Sequence, residues 1–250
     1  MSDYYNPKKT KNLFNPASEK PFRVSRTKIE LFVNCPRCLY LELREGIARP
    51  GGFPFSLNNA VDYLLKKEFD IHRAKGIKHP LAKEYNIDAI PFQHEDINVW
   101  RNARKGIEYL YEPANLVVYG GIDDIWINSE KELHIVDYKA TSKTSEITID
   151  EEWQNSYKRQ IEIYQWLFKK NNFNVSDIGY FVYCNGKTDR ESFDKKIEFD
   201  IKVIPYTGDS KWIDKAVLDM KKCLMSDGLP ESGADCDFCA YRKEANKIEK

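Results

Sequence analysis

Two short segments of this sequence carry acidic residues where strands are expected, and one of them also carries a lysine. Residues 120–125 begin with two glycines and include Asp123, and residues 135–139 place Asp137 and Lys139 two positions apart. Residues two apart in a strand leave the same face. Two carboxylates and a lysine on neighbouring strands can bind a divalent cation and position an attacking water. That is the chemistry of metal-dependent phosphodiester cleavage.

These segments lie in a part of the chain whose pattern predicts a sheet. Residues 121–128 and 132–140 are predicted as two strands joined by a short polar turn, which is typical of a β-hairpin. An amphipathic helix is predicted at 153–170, and a continuously apolar strand at 178–184 follows it. The mixture favours an α/β or α+β fold, in which a central mixed β-sheet is flanked by helices.

Two further helices are predicted before the sheet. Ser56 is predicted as the N-cap of a long helix, which is expected to end at Gly76. Residues 96–111 are also predicted to be helical. Residues 1–20 are rich in Asn, Lys, Pro and Ser, which predicts a flexible tail. Residues 21–250 are enough to form a single domain with its own core.

Acidic side chains on a buried strand face are costly unless a positive charge or hydrogen bonds offset their negative charge. Two of them on adjacent strands also repel each other, and Mg²⁺ or Mn²⁺ would remove both problems because hard cations bind oxygen ligands. The alternative is that the acids at 123, 124 and 137 cap strand ends in solvent and that Lys139 extends to water.

The helix predicted at 153–170 offers two further candidates. Gln160 and Tyr164 are one helical turn apart and share a face. They can project over the metal site and contact the phosphate or the lysine. Tyr164 by itself is more typical of a core aromatic, whereas packing alone does not explain Gln160 on the same face.

Taken in order, these segments resemble the PD-(D/E)xK nuclease superfamily. Residues 121–123, 136–139 and 160–164 look like its motifs II, III and IV. The similarity is greatest to the RecB-type branch, which includes the nuclease domains of bacterial recombination helicase-nucleases and the CRISPR adaptation exonucleases. The resemblance extends from about residue 22 to residue 241. It implies a restriction-endonuclease-like core with a central mixed sheet and flanking helices.

The resemblance also implies roles for individual residues. Asp123 and Asp137 would be metal ligands, Lys139 the catalytic lysine, and the main-chain carbonyl of Tyr138 a further metal ligand. Family members often carry His or Glu on the upstream helix as another ligand, and this chain offers Asp62 there. Asp62 either takes that role, directly or through a water, or is a surface helix residue.

Four cysteines form two CxxC pairs, Cys35 with Cys38 and Cys236 with Cys239. Two such pairs can complete a tetrahedral metal site that joins the N-terminal helix to the C-terminus. The alternative is two unrelated reduced pairs. Zinc and an iron–sulfur cluster both accept four thiolates. The resemblance favours a 4Fe–4S cluster, with structural Zn²⁺ as the alternative, although the related nucleases usually place one cysteine before the core and three after it.

Composition limits what the protein can bind and where it can act. The 39 basic and 39 acidic residues give a formal net charge of zero, so a surface that binds nucleic acid must be local. Residues 22–28 offer two Arg, one Lys and hydroxyl donors for phosphates, and a solvated basic face is an equal alternative. The apolar runs are too short to cross a bilayer, and the N-terminus lacks a secretory signal. These features predict a soluble cytoplasmic protein without a membrane partner.

Together the residues and the resemblance predict a metal-dependent DNA nuclease. The resemblance implies exonuclease action on DNA ends or single strands. Two alternatives stay open. One is a non-catalytic nucleic-acid-binding module that keeps the fold and the cysteines. The other is a partner-dependent subunit of a DNA repair, recombination or CRISPR-adaptation complex, with a helicase or another protein of that complex as its partner.

Overall fold

The computed structural model describes residues 8–52 and 55–249. The helices are α1 (Arg26–Asn34), α2 (Pro36–Leu43), α3 (Ser56–Lys75), α4 (Pro80–Glu84), α5 (Ile97–Trp100), α6 (Asn155–Lys170), α7 (Trp212–Met225) and α8 (Asp237–Ile248). The strands are β1 (Phe22–Ser25), β2 (Ile90–Pro91), β3 (Ile107–Tyr111), β4 (Leu116–Gly120), β5 (Asp124–Ile127), β6 (Leu133–Thr141), β7 (Ile178–Gly186) and β8 (Phe199–Thr207).

The chain divides into two compact units. Unit 1 draws on Met1–Phe53, Tyr109–Tyr119 and Lys211–Lys250, and unit 2 on Pro54–Glu108 and Gly120–Ser210. The single domain expected over residues 21–250 stays a prediction. In the part of the chain that the structure describes, no helix has the length and apolarity needed to cross a membrane.

Unit 2 contains a five-stranded mixed sheet in the order β2-β5-β6-β7-β8. β5 and β6 form the predicted hairpin and are antiparallel, with Ile125 opposite Ile135. β6 and β7 are parallel, so they need a crossover connection, and α6 lies within that connection. β8 returns antiparallel to β7. The predicted fold class, a mixed sheet flanked by helices, is therefore confirmed.

Helices supply apolar side chains to both faces of this sheet. On one face Phe69 of α3 stacks on Trp126 of β5, with ring centroids 5.3 Å apart. On the other face α6 approaches β7 so closely that a Cβ on Gly179 would lie 2.7 Å from the Ile161 side chain. A glycine in the strand permits this close packing. β6, which carries Asp137 and Lys139, therefore lies in a sheet that is packed against helices on both faces.

Unit 1 contains β1 paired in parallel with β4, and Ser25 lies opposite Tyr119. β3 completes a three-stranded sheet in the order β1-β4-β3. One face of this sheet is buried, and it carries Val24, Leu116 and Val118. Helices α1, α2, α7 and α8 belong to the same unit.

Part of the stretch expected to be a flexible tail is packed onto unit 1. The backbone N–H of Phe14 donates to the Leu43 carbonyl at 2.7 Å. The buried Phe14 ring meets Phe22 edge-on, with centroids 5.3 Å apart. The N–H of Lys9 donates to the Gly46 carbonyl, also at 2.7 Å. Residues 1–7 of the predicted tail lie outside the described residues.

The predicted long helix is confirmed, and Gly76 ends it with φ of 62°, in the left-handed region that favours glycine. The prediction of Ser56 as its N-cap is wrong by one residue, because Ser56 is the first residue of the helix and Phe55 is the N-cap. The helix predicted over residues 96–111 is wrong beyond Trp100. Gly106 follows with φ of 66°, and the next residues, Ile-Glu-Tyr-Leu-Tyr, form β3. Aromatic and β-branched residues fit a strand surface better than a helix, and pairing with β4 decides the outcome.

Candidate functional site

Asp123 and Asp137 lie opposite each other where β5 begins beside β6. The antiparallel register places Asp124 opposite Val136, so one further step places Asp123 opposite Asp137. The Asp123 carboxylate accepts a hydrogen bond from the backbone N–H of Tyr138 at 2.9 Å. By standard bond lengths this nitrogen is ~2.4 Å from the Asp137 Cα. The carboxylate of one acid is therefore anchored to the backbone beside the other.

Asp137 and Lys139 are in direct contact. Asp137 is buried, and its Oδ2 forms an ion pair with the Lys139 Nζ. The Lys139 side chain is mostly buried, and its ammonium lies 4.4 Å from the centre of the Tyr157 ring on α6. The i, i+2 spacing predicted a shared face, and the two charged groups meet on it.

Lys66 joins two of the predicted acids, although sequence reasoning missed it. Its Nζ lies 2.8 Å from Asp62 and 3.3 Å from Asp123, and its side chain is 19% exposed. Burial alone would lower the pKa of Lys66, but the charge of Asp123 and the hydrogen bond to Asp62 outweigh it and raise that pKa. The only sequence signal was the i, i+4 spacing between Asp62 and Lys66, which is common on helix surfaces.

Burial changes the pKa of Asp62 in the opposite direction from that of Lys66. Loss of water contact raises the pKa of Asp62, and the negative charge of Asp123 adds to the effect, while the Lys66 ammonium opposes both. Two carboxylates thus share one neighbourhood, and a cation there stabilises both.

Asp124 has a structural role that is distinct from that of Asp123. It is fully buried and is held by the Arg73 guanidinium, by Arg101 at 3.0 Å and by the Tyr138 hydroxyl at 2.7 Å. Burial and the charge of Asp124 raise the pKa of Tyr138, so this hydroxyl stays protonated and donates. The alternative in which these acids cap strand ends in solvent is therefore wrong for Asp124, and also for the buried Asp137.

Arg101 extends this network to the backbone of the candidate site. Its Nε donates to the main-chain carbonyl of Asp123 at 3.1 Å. Both oxygens of Asp70 accept from Arg101 at 2.9 Å. Asp70 also pairs with Arg73 at 2.9 Å. Two guanidinium groups and two carboxylates thus fix the chain on either side of the turn into β5.

Tyr164 contacts the same turn rather than Lys139. Its buried hydroxyl donates to the Gly121 carbonyl at 2.5 Å. A Cβ at Gly121 would lie 3.1 Å from the Ala103 backbone, so this turn has little room for a side chain. Gln160 is half-buried one helical turn before Tyr164, and among the residues that the structure describes no hydrogen bond joins it to Asp123 or Asp137. The Tyr138 carbonyl stays a predicted ligand.

The four predicted cysteines converge in unit 1. Their four sulfur atoms all lie within 4.8 Å of one another. Cys38 lies 3.6 Å from Cys236 and 3.7 Å from Cys239, and Cys35 lies 3.7 Å from Cys239, measured between sulfurs. The described cysteines are all free thiols. The geometry therefore makes this cluster a candidate metal site and excludes two unrelated pairs.

Hydrogen-bond donors surround the sulfurs. The Gly233 N–H donates to the Cys35 sulfur at 3.3 Å, and an Arg49 N–H donates to the Cys236 sulfur at 3.1 Å. Burial alone would raise the pKa of Cys35, but hydrogen bonds from Gly233 and the neighbouring cysteines lower it to about 6. At Cys35 the environment thus favours a thiolate, which is the form that binds a metal, whereas burial raises the pKa of Cys38 and of Cys239.

A comparison with protein families decides what these residues belong to. A model described as "PD-(D/E)XK nuclease superfamily" matches residues 56–243, well over half of the chain. The chain belongs to the PD-(D/E)XK nuclease superfamily. The match covers all the aspartates of the candidate site, both lysines (Lys66 and Lys139) and the α6 residues described above. It also covers Cys236 and Cys239, whereas Cys35 and Cys38 precede it.

Other comparisons add little to the superfamily assignment. Six solved chains match, and one of them comes from a structure described as "Crystal structure of SSO0001". It is 16% identical to this superfamily member over 91% of this chain and 86% of that chain, with a TM-score of 0.35. A likeness of that size is too weak to bear on the fold or the site. None of the curated proteins matches the chain.

The divalent cation that the PD-(D/E)XK superfamily implies fits the residues present. Asp62, Asp123 and Asp137 offer carboxylate oxygens, the donors that Mg²⁺ and Mn²⁺ prefer. Each acid already lies beside an ammonium group, Lys66 or Lys139. In the metal-free protein these ammonium groups offset negative charge that would otherwise lie partly buried without a partner.

Proposed function

We propose that this protein is a metal-dependent nuclease that hydrolyses phosphodiester bonds in DNA. The observation that carries the proposal is the Asp137–Lys139 ion pair beside the Asp123 carboxylate, which the Tyr138 N–H anchors. Superfamily membership supports the reaction class. Two observations support this location for the active site. Lys66 contacts both Asp62 of α3 and Asp123, and the β5–β6 register places Asp123 opposite Asp137.

The proposed roles follow from the contacts. Asp123 and Asp137 would hold Mg²⁺ or Mn²⁺, with Asp62 and the Tyr138 carbonyl as further ligands. The cation would supply Lewis-acid polarisation of the phosphate. Lys139 would orient the attacking water or offset charge that develops on the phosphate. Its ammonium suits either role because Asp137 and the Tyr157 ring hold it in place.

Gln160 and Tyr164 would act differently from each other. The Tyr164 hydroxyl already binds the Gly121 carbonyl, so we assign it to positioning the turn that carries Asp123. Gln160 lies half-buried on the same helix face and would contact the scissile phosphate. Positioning matters because misplacing a reacting group by about 1 Å can reduce the rate on the order of a hundredfold.

The finer parts of the proposal concern the substrate and the setting. We propose exonuclease action on DNA ends or single strands, as in the RecB-type branch, in the cytoplasm and in DNA repair, recombination or CRISPR adaptation. The motifs at residues 121–123, 136–139 and 160–164 support that branch. The free thiols of the described cysteines are consistent with a reducing compartment.

A cleavage assay tests the proposal. Linear duplex, single-stranded and circular DNA, labelled at either end, are incubated with the protein and Mg²⁺ or Mn²⁺. Asp137→Asn should abolish cleavage while the fold is kept. Asp177→Asn is the matched control because Asp177 is exposed and pairs only with Lys169 among the ion pairs described. Cleavage by Asp137→Asn at the wild-type rate would refute the active site, and products from linear but not circular DNA would support exonuclease action.

The four cysteines are proposed as a structural metal centre. A tetrahedral ion with Zn–S bonds of ~2.3 Å places its sulfurs ~3.8 Å apart. Three of the sulfur pairs are 3.6–3.7 Å apart, and all four sulfurs lie within 4.8 Å of one another. A 4Fe–4S cluster bonds each thiolate to a separate iron, which requires wider separations. The distances therefore support Zn²⁺, whereas the resemblance supports 4Fe–4S. Metal analysis of the purified protein, together with its visible spectrum, discriminates between them.

One observation favours a second candidate function, a non-catalytic DNA-binding module. Lys66 and Lys139 already neutralise the candidate acids. This is the arrangement expected in a protein of this fold that does not bind a divalent cation. Calorimetry with Mn²⁺ separates the two functions. A nuclease should bind Mn²⁺ in a manner that Asp137→Asn weakens, whereas a binding module should not. A subunit that needs a helicase or a similar partner would bind Mn²⁺ but cut DNA only with that partner.

A further inference from the structure

Unit 1 contains a cleft of about 630 Å³, a volume typical of ligand sites. Its charged lining consists of four basic side chains and one acid, namely Lys9, Lys11, Arg23, Lys28 and Glu42. We call it the basic cleft. Because the formal net charge of the chain is zero, this excess of positive charge is local. A concave surface lined by one sign of charge concentrates ions of the other sign.

The strands of unit 1 explain one wall of the basic cleft. Side chains alternate along β1, so burial of Val24 on one face leaves Arg23 and Ser25 on the other. Tyr119 of β4 lies opposite Ser25 in the parallel register. The exposed Arg23 places its guanidinium carbon 3.5 Å from the centre of the Tyr119 ring. Stacking of this kind holds a guanidinium in place and keeps its charge.

Glu42 organises the other wall. The Lys28 Nζ lies 2.6 Å from its carboxylate, and the Lys9 Nζ contacts the same oxygen. Glu42 is buried, whereas Lys9 is exposed and Lys28 half-exposed. One carboxylate thus holds two ammonium groups at the cleft without cancelling the charge of all four cations. Lys11 is exposed at the same cleft.

We propose that the basic cleft binds the phosphate backbone of a DNA strand. Its cations come from three segments, the chain before β1, β1 itself and α1, so they are spread along the cleft instead of surrounding one point. Spread cations suit a row of phosphates, and release of the counterions from those phosphates favours binding. Backbone contacts position a nucleic acid without reading its sequence. The inference rests on the proposed nuclease function only in naming DNA as the polyanion.

Binding of a labelled single-stranded oligonucleotide, followed by fluorescence anisotropy in buffer without added Mg²⁺ or Mn²⁺, tests the basic cleft. The double variant Lys11→Gln, Arg23→Gln should weaken binding at least about tenfold. It should also reduce the slope of log K against log salt by about 1.4, because each lost phosphate contact on a single strand contributes ~0.7. The matched control is Lys215→Gln, Lys222→Gln. It removes the same charge from exposed side chains on α7, in the same unit and outside the cleft lining. Equal losses in both double variants would overturn the proposal.

A footprinting measurement on the wild-type protein does not depend on variants that fold. Acetylation of lysines, mapped by mass spectrometry, should be reduced at Lys11 when DNA is bound and unchanged at Lys215 and Lys222. Unchanged acetylation of Lys11 under saturating DNA would overturn the proposal.

The two proposals can fail separately. If Lys11 is protected and no DNA is cut with Mg²⁺ or Mn²⁺, the nuclease proposal fails and the cleft proposal survives. If DNA is cut and Lys11 is not protected, the cleft proposal alone fails.

Discussion

The ammonium of Lys66 lies 3.3 Å from the carboxylate of Asp123, and the same ammonium lies 2.8 Å from Asp62. One half-buried positive charge thus occupies the neighbourhood that a divalent cation would share with these two acids. Like charges at such distances compete, and they do so more strongly where water is partly excluded. Lys66 therefore stabilises the metal-free protein and opposes metal binding.

Removing the Lys66 charge should strengthen metal binding. We expect Lys66→Met to bind Mn²⁺ about tenfold more tightly, equivalent to ~1.4 kcal/mol, and to show a larger rise in Tm on adding Mn²⁺ than the wild type. Calorimetry and thermal unfolding measure both effects. Lys67→Met is the matched control, since the next residue on α3 is exposed and lies over Tyr63. Equal Mn²⁺ affinity in Lys66→Met and wild type would show that Asp62 and Asp123 do not hold the ion.

Loss of the Tyr164 hydroxyl should affect catalysis more than stability. Tyr164→Phe removes one hydrogen bond to the Gly121 carbonyl, which costs about 1 kcal/mol of unfolding free energy. Because Asp123 follows that carbonyl by two residues, we expect kcat to fall at least about tenfold with KM little changed. Steady-state cleavage kinetics and urea unfolding measure the two. Tyr241→Phe, at an exposed tyrosine, is the control. A loss of stability without a change in kcat would contradict the positioning role.

Asp124→Asn should destabilise unit 2 strongly. The substitution leaves the buried Arg73 and the largely buried Arg101 without the charge that they share. Breaking a buried ion pair from one side costs about 3–5 kcal/mol. Chemical denaturation should show a loss of this size, and the exposed Asp177→Asn should stay within about 0.5 kcal/mol of the wild type. A small effect would show that water reaches the Asp124 site.

Removing metal from the cysteine cluster should destabilise the protein. We expect a strong chelator to lower Tm, and Cys236→Ser to show the lower Tm without chelator. Cys223→Ser is the control, because this half-buried thiol lies outside the cluster. Elemental analysis should give about one Zn²⁺ per chain. Several irons per chain with visible absorption would instead identify an iron–sulfur cluster.

Glu42 should make the stability of unit 1 depend on pH in the acid range. Burial alone would raise the pKa of Glu42, but Lys28 and Lys9 outweigh it and hold that pKa below its ordinary value of 4.5. A lowered acid pKa adds stability above the ordinary value, and this stability is lost as the pH falls through the lowered pKa.

Glu42→Gln should therefore destabilise the protein at pH 7 by about 1–2 kcal/mol. The difference from the wild type should shrink as the pH drops below 4.5. Urea unfolding over a pH series measures this. A difference that does not change with pH would mean that the loss comes from packing and not from charge.

The local features of the candidate site followed from residue types and their spacing. The alternation of side chains in a strand is geometric, so the shared face of Asp137 and Lys139 followed from their spacing alone. The glycine after α3 and the polar turn before β6 likewise predicted where elements end. The two CxxC pairs indicated a shared site because that spacing has few other uses.

Contacts between residues that are far apart in the chain could not be predicted in this way. Lys66 and Asp62 look like an ordinary helix-surface pair until α3 packs on the sheet and brings them to Asp123, more than fifty residues away. The pairing of β1 with β4 likewise creates the wall of the basic cleft from segments far apart in the chain. Residues 107–111 became a strand because a neighbouring strand was available. Such outcomes depend on long-range packing, which local periodicity does not encode.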